Sequence, residues 1–169
     1  LAGISSPEVG VFLKGMRDAT AEIAALRPEI ATAAGGAFAS LSDLAFDSQI
    51  SDTLTLSTFH GCPPDEIESI TKYLIDEHDL DVIVKLNPTL LGYDQVADVV
   101  NDQLGYSDVS VKASAFDEDL QFERGIELIG ELNQYAKDRG RRCGIKLTNT
   151  RVVDNTRGFM ADETMYLSG

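Results

Sequence analysis

From about residue 50 onward, short β-prone runs alternate with longer stretches in which apolar residues recur every three or four positions. The short runs cover residues 53–57, 82–86, 109–113 and 143–147. The stretches between them have the length and period of amphipathic helices. This order, β-α-β-α-β-α-β, predicts parallel strands joined by right-handed crossovers.

We interpret residues 51–169 as part of a TIM-type (β/α)8 barrel, an α/β fold. Four strands are half of such a barrel, and a half barrel leaves two strand edges that need pairing or covering. We therefore expect the native chain to continue past Gly169, or a partner to complete the sheet. A complete four-stranded doubly wound sheet is the alternative.

Residues 1–50 are predicted to form a helical N-terminal segment. Ser6 is a good N-cap, Pro7 suits the first helical position, and Pro28 is expected to break or restart the helix. Residues 27–50 receive no clear assignment. At the other end, residues 151–169 have no clear period and are interpreted as a loop.

The composition narrows the range of partners and compartments. The chain carries 28 acidic against 14 basic residues, a formal charge of −14, so we expect it to bind neither nucleic acid nor an anionic membrane surface. No stretch approaches the roughly 20 apolar residues of a membrane helix. Two cysteines make no disulfide framework, and we expect a cytoplasmic location. The basic cluster of Arg139, Arg141 and Arg142 is interpreted as the end of a helix.

Polar residues with chemical potential follow three of the strands, and ligands of parallel α/β folds bind at the carboxyl ends of strands. The first loop carries Ser57, His60 and Cys62, which could act as acid, base or nucleophile. Cys62 lies near the start of a predicted helix, where its pKa could be lowered. A lone His or Cys is nevertheless more often structural.

The second and third loops share one form, a Lys within the strand followed by Leu and a polar loop. Lys85 and Lys146 are expensive to bury in a strand unless each meets an anion, a polar ligand or a neighbouring carboxylate. Asn87 and Asn149 follow them, and an Asn side chain suits the amide-like edge of a heterocycle or simply forms a turn. The strand-end lysines could therefore stabilise developing negative charge, and the asparagines could orient a ring.

The chain has no P-loop, GxGxxG fingerprint, zinc-protease motif or Ser-hydrolase elbow. Its potential metal ligands do not cluster, so no metal site is predicted. Nothing in these residues suits an oxyanion.

Five segments carry a family resemblance. In chain order they are STFHGCPPDEIESITKYLIDE, VIVKLNPTLLGY, DEDLQFE, GIKLTNT and MYLSG. Together they resemble the selenate reductase family, whose members are large multidomain proteins related to dihydropyrimidine dehydrogenase. The resemblance covers roughly residues 50–169 and, more loosely, the helix around residues 15–18.

The resemblance implies that this region is part of a flavin-binding barrel similar to that of dihydroorotate and dihydropyrimidine dehydrogenases. In those enzymes a strand-end Lys contacts FMN, Asn side chains hold a pyrimidine ring, and a Cys or Ser on a mobile loop is the base. Cys62 and Ser57 are the nearest candidates for the base, although their loop departs from the dehydrogenase pattern. The implied FMN ligands are Lys85, Lys146 and Asn87, and the implied substrate ligands are Asn149, Thr148 and Thr150.

Full-length relatives are expected to carry FAD, iron–sulfur clusters and an NAD(P)H site in other domains, which would be the partners of this region. The leading hypothesis is hydride transfer between FMN and a small heterocyclic substrate, with electrons supplied by NADPH or NADH. One alternative is a non-catalytic scaffold within a redox complex. Another is a lyase or aldolase that uses Lys85 or Lys146 as a Schiff-base amine.

Overall fold

The computed structural model describes residues 1–33, 36–59, 61–158, 161 and 164–168. It divides into two compact units, Leu1–Thr53 and Leu54–Gly169. Within the described residues, no helix is long and apolar enough to cross a membrane. The helices and strands are α1 (Pro7–Arg17), α2 (Thr20–Ala33), β1 (Thr53–Ser57), α3 (Pro64–His78), β2 (Asp81–Leu86), α4 (Tyr93–Ala97), β3 (Ser110–Val111), α5 (Ser114–Glu118), α6 (Phe122–Lys137), β4 (Cys143–Leu147), β5 (Thr150–Asp154) and β6 (Thr164–Ser168).

The first unit is helical. The hydroxyl of Ser6 accepts a hydrogen bond from the N–H of Val9 at 3.4 Å, so the predicted cap of α1 is confirmed. The carboxylate of Asp18 accepts from the N–H of Thr20 at 3.1 Å, where α2 begins. The expected break at Pro28 is wrong, because Pro28 lies inside α2. A 3-10 helix, Gly36–Asp43, follows.

The second unit begins with a parallel sheet in the order β1-β2-β4. Helix α3 packs on β2, and α6 packs on both α3 and β4. Alternate residues of β2, namely Val82, Val84 and Leu86, are buried on the helix-facing side because every second side chain of a strand lies on the same face. The helix-facing core is completed by Ile67, Leu74, Leu128 and Leu132.

The third predicted strand lies elsewhere. Residues 110 and 111 form a two-residue strand, β3, which pairs antiparallel with β5 in a second sheet of order β3-β5-β6. Consequently β4 pairs directly with β2, in the register Val82↔Cys143 to Leu86↔Leu147. Residues 109–113 are too polar for a strand buried on both faces of the parallel sheet, since Ser110 is exposed and only Val111 is buried.

The interpretation of residues 151–169 as a loop is also wrong over most of its described part, because β5 and β6 form an antiparallel pair. This pair has short strands and little periodic pattern, which is why sequence reasoning missed it. Val152 and Val153 are both buried, so β5 does not show the alternation typical of a strand with one solvated face.

The basic cluster after α6 is a set of ion pairs rather than a free helix end. Helix α6 ends at Lys137, before all three arginines. Each arginine contacts an aspartate near the end of α3 or the start of β2. The pairs are Arg139–Asp76 at 2.6 Å, Arg141–Asp79 at 2.8 Å and Arg142–Asp81 at 2.6 Å.

Candidate functional site

The loops after β1, β2 and β4 meet at the carboxyl end of the parallel sheet. The hydroxyl of Thr58 donates to the carbonyl of Lys85 at 2.9 Å. The backbone N–H of Asn149 donates to the carbonyl of Leu86 at 2.9 Å, and its Nδ2 donates to the carbonyl of Thr58 at 2.7 Å. The loops that follow these three strands therefore meet at one end of the sheet, and the side chain of Asn149 links two of them.

A buried carboxylate, Asp119, lies beside these strand ends in the segment between α5 and α6. Its Oδ1 accepts from the N–H of Gly61 at 2.6 Å. Its Oδ2 accepts from Thr89 Oγ1 at 2.8 Å and from Asn87 Nδ2 at 3.3 Å. Because hydrogen bonds to a carboxylate compensate for its burial, these three donors let Asp119 join the loop after β1 to the loop after β2.

A cavity of about 10 Å³ adjoins Asp119. This is close to the volume that one water molecule requires. Asn87 is only 8% exposed, and its Oδ1 is buried with no hydrogen-bond partner within the described part of the chain. The other polar groups that line the cavity belong to Thr58, Cys62 and Thr89.

Cys62 is a buried free thiol just before α3. Burial raises the pKa of the Cys62 thiol, and the negative charges of Glu66 and Asp119 raise it further. The expected lowering of its pKa by the helix N-terminus is therefore wrong. Acidic residues in the first turn of α3, Asp65 and Glu66, place negative charge where a thiolate would form.

The two strand lysines lie side by side. Lys85 and Lys146 are register partners of adjacent parallel strands, which places their side chains on one face of the sheet, opposite Val84 and Leu86. Lys85 is half-buried and Lys146 is exposed, so the expectation of two buried cations is wrong for this chain. The face that carries them is not the face covered by α3 and α6.

Three other predicted residues, Ser57, Thr148 and Thr150, do not line the cavity. Ser57 is the exposed last residue of β1, and Thr150 begins β5, where it pairs with Ser168 of the second sheet. Thr148 is half-buried and follows a cis peptide bond. His60 lies outside the described residues. No group of three or more His, Cys, Asp and Glu side chains that could hold a metal ion occurs in the ranges that the structure describes.

Sequence reasoning overlooked three residues of this site, Thr58, Thr89 and Asp119. Asp119 belongs to a short acidic run, and no compositional signal separates it from Asp117, which is exposed. Its importance depends on two distant loops that donate to it, which only the tertiary structure brings together.

A larger cavity, of about 250 Å³, lies beside the second sheet. Val109, Val153 and Met165 supply its apolar wall. At its rim Asp108 and Arg157 form an ion pair at 2.6 Å. None of the residues predicted to carry chemistry lines it.

Comparison with known proteins gives a consistent family assignment. A family model described as the N-terminal TIM-barrel domain of the oxidoreductase YgfK matches residues 1–169. Two curated relatives, both named "Putative oxidoreductase YgfK" and from Escherichia coli strains K12 and O157:H7, are each 44% identical over 116 residues. The match covers 69% of this chain and 11% of each relative, so the chain spans about a tenth of the length of these relatives. No solved structure matches it significantly.

Proposed function

Because the chain belongs to the family of N-terminal TIM-barrel domains of YgfK-type oxidoreductases, we propose that it is part of a flavin-dependent oxidoreductase that transfers hydride between FMN and a small heterocyclic substrate. The family assignment supports oxidoreductase chemistry, and the resemblance to dihydropyrimidine dehydrogenase supports a flavin as the cofactor. The name selenate reductase is not carried over, because the family model and the two relatives are described only as oxidoreductases.

The observation that carries the proposal is the neighbouring pair Lys85 and Lys146 at the carboxyl end of the parallel sheet. Two ammonium groups on one open face favour an anionic or electron-rich partner. FMN, when bound, supplies the hydride chemistry. Lys85 and Lys146 would stabilise negative charge at its ring through pre-arranged donors.

The strand lysines and Asn87 offer groups that suit the imide edge of a flavin ring. The imide edge of the ring offers both acceptors and an N–H donor. Lys85 and Lys146 would donate to the acceptors of this edge from the open face of the sheet. Asn87 Oδ1 is an acceptor suited to the N–H, and because it is buried beside the small cavity, which neither lysine lines, its side chain would have to move to meet the ring.

The Nδ2 of Asn149 already donates to the carbonyl of Thr58. Asn149 would therefore contact a substrate ring through its Oδ1, and Thr148 and Thr150, which flank it in sequence, are proposed to contact the same ring.

The proton-handling group is proposed to be the thiol of Cys62. A raised pKa keeps this thiol protonated at neutral pH, so it would hold a proton for donation rather than act as a resident thiolate base. Ser57 and His60 are also proposed as candidates for this proton-handling role. FAD, iron–sulfur clusters and NAD(P)H are proposed for other domains of the parent protein, in the cytoplasm.

The test is FMN content in the purified full-length parent protein, from its visible spectrum and the mass of the released cofactor. Lys85→Ala and Lys146→Ala are expected to lower FMN retention, because each removes a cation from the flavin face. Lys137→Ala, on an exposed position of α6, is the matched control and should retain FMN. Full retention in both strand variants would refute the assignment, and a folded parent protein without flavin would favour a scaffold role.

The lysine pair also suits a second candidate function. A Lys next to another cationic group is a recurring arrangement in Schiff-base enzymes. Borohydride reduction in the presence of carbonyl substrates would then attach the substrate carbon to Lys85 or Lys146. Trapping at either residue would favour the lyase or aldolase reading over FMN chemistry.

A further inference from the structure

Strand β4 is at one end of the parallel sheet, and within the part of the chain that the structure describes its only strand neighbour is β2. The N–H of Val82 donates to the carbonyl of Arg142 at 3.0 Å, so the backbone groups of Arg142 face β2. Along a strand these groups point to opposite edges in successive residues, and those of Ile145 and Leu147 therefore point away from β2. They form an open edge that suits pairing with another strand.

The side chains at this edge are apolar and uncovered. Ile145 and Leu147 are the register partners of Val84 and Leu86, so they lie on the face of the sheet that carries α3 and α6. Val84 and Leu86 are buried there, whereas Ile145 is 43% exposed and Leu147 is 63% exposed. The helices that cover β2 therefore leave much of this face of β4 uncovered.

Helix α6 has a second apolar stripe beside that uncovered face. The guanidinium of Arg124 lies 3.8 Å from Glu68 of α3, which identifies the flank of α6 that faces α3. Phe122, Ile126 and Ile129, at spacings of four and three, lie on the other flank. Phe122 is 52% exposed and Ile126 is 56% exposed, although both are large apolar side chains.

The stripe of α6 and the uncovered face of β4 are parts of one surface. A short connection, residues 138–142, joins α6 to β4, and the two pack antiparallel, so the start of α6 lies level with the end of β4. We call this the β4–α6 surface; it consists of Phe122, Ile126, Ile129, Ile145 and Leu147. A contiguous apolar surface of this kind marks a binding site for another protein segment.

We propose that the β4–α6 surface binds a strand followed by a helix, from a part of the parent protein outside residues 1–169. The strand pairs parallel with the open edge of β4, and the helix lies against the stripe of α6 in the way that α6 lies against α3. This occupant covers the strand edge and the apolar stripe together, whereas a lone helix would leave the edge unpaired. The curated relatives have ample chain to supply it, since the matched segment is 11% of their length.

The added strand also borders the two strand lysines. Its residue paired with Lys146 has its side chain on the same face as Lys85 and Lys146, because register partners share a face of the sheet. The candidate cofactor face thus gains a side chain from outside residues 1–169. This consequence holds whichever ligand that face binds.

Photo-cross-linking in the full-length parent protein tests the helix. Phe122 is replaced by p-benzoylphenylalanine, and the similarly exposed Tyr106 is replaced in the control. Peptide mass spectrometry of mixed light and heavy protein separates links within one molecule from links between two. Position 122 should link within one molecule to a helix outside residues 1–169, and position 106 should not reach that helix. A link to a second copy, to another protein or within residues 1–169, or no link, would overturn the proposal.

Residue-resolved amide exchange in the same protein tests the strand. The N–H groups of Ile145 and Leu147 should be protected to within about tenfold of that of Val84, which lies between β2 and β4. Exchange of both at the rate of unpaired amides would refute the added strand. Neither measurement requires a cofactor, so failure of the flavin proposal would leave this inference standing.

Two variants connect the helix contact with the strand edge. Ile126→Asp introduces a charge where the added helix packs, and it should speed exchange at Ile145 and Leu147 at least about tenfold. Val11→Asp makes a matching change at an exposed position of α1 and should leave that exchange unchanged. Unchanged exchange in a folded Ile126→Asp protein would count against the helix. If Ile126→Asp does not fold, the cross-link and the exchange of the unsubstituted protein decide.

Discussion

Lys85 of β2 and Lys146 of β4 are register partners, so two ammonium groups leave adjacent parallel strands on the same face of the sheet. Gly144, two residues before Lys146, shows the same geometry, because a Cβ built on it would lie 3.9 Å from Ile83 Cγ1 on that face. Like charges on neighbouring strands are unfavourable unless an anion lies between them. The pairing is therefore expected to cost the ligand-free sheet some stability, which the proposed flavin would relieve.

In the ligand-free parent protein, Lys146→Gln is expected to increase hydrogen-exchange protection of β2 and β4. The gain should be about 0.2–1 kcal/mol, because it removes repulsion between paired positions, and it should shrink in high salt because Lys146 is exposed. Lys137→Gln is the control, since a cation suits the last turn of α6 and its loss should bring no gain. Lower protection of β2 in Lys146→Gln would argue against repulsion.

Cys62 is expected to react slowly with iodoacetamide at neutral pH. Burial and the charges of Glu66 and Asp119 raise the pKa of its thiol, so the reactive thiolate is scarce until the pH is well above neutral. Peptide mass spectrometry across a pH series would measure the rate. Glu66→Gln should speed alkylation of Cys62 and leave Cys143, whose pKa burial alone raises, unchanged. Rapid labelling of Cys62 at pH 7 would contradict this account.

Asp81 should make the pairing of β2 with β4 pH-dependent. Burial alone would raise the pKa of Asp81, but hydrogen bonds from the N–H and guanidinium of Arg142 hold it below its ordinary value. A lowered folded-state pKa means that the stabilisation is present above the unfolded pKa of about 3.9 and is lost as the pH falls through the folded value. Asp81→Asn should therefore reduce protection of β2 and β4 at pH 7, and its effect should diminish as the pH falls below about 3.9 through the folded-state pKa.

The expected loss for Asp81→Asn is about 1 kcal/mol, since a hydrogen bond to a charged group is discounted here for the exposed Arg142 side chain. Asp79→Asn provides a control two residues away. Asp79 is itself exposed and pairs with the half-buried Arg141, and asparagine tolerates its left-handed backbone, φ 52°. Its effect should be no more than a few tenths of a kcal/mol. Equal losses of stability in the two variants would show that the buried Asp81 contributes no more to the free energy of unfolding than the exposed Asp79 does.

Two glycines of α6 should respond differently to alanine. A Cβ at Gly130 would meet nothing within 4 Å, so Gly130→Ala should stabilise α6 by about 0.5–1 kcal/mol through helix propensity. A Cβ at Gly125 would lie 3.2 Å from Leu90 Cδ2, and crowding should cancel or reverse the same gain. Hydrogen exchange of α6 would compare them. A larger gain for Gly125→Ala would mean that Leu90 yields at little cost.

Local pattern was enough to predict the elements with a clear period. Helix α3 buries Ile67, Ile70, Leu74 and Ile75 on one face, and the apolar run of β2 gives a buried strand, both as predicted. The pattern around Val111 predicted a strand but could not supply its partner, because Val111 pairs with Val153 of β5, 42 positions away. Helix propensity likewise failed at Pro28, where α2 continues through the proline.

The candidate site was predictable only where chemistry and strand ends coincide. Asn87, Asn149 and Cys62 follow strands or start a helix, and the structure places them near one another at the sheet end. Asp119 could not be found in this way, because its donors come from Gly61 and from Thr89. The exposure of Lys146 depends on which face of the sheet the helices cover, and the strand sequence does not specify that.

The direct pairing of β2 with β4 has a consequence for how this chain folds. Val82 and Cys143 are register partners although they are 61 positions apart in the sequence. Contacts of such long range require a large loop to close before they contribute, so they slow folding relative to local contacts. During synthesis on the ribosome, one edge of β2 stays unpaired until β4 has emerged. By contrast, β5 and β6 are close enough in sequence to pair soon after both have been synthesised. Chaperone dependence is thus expected to centre on the interval between β2 and β4.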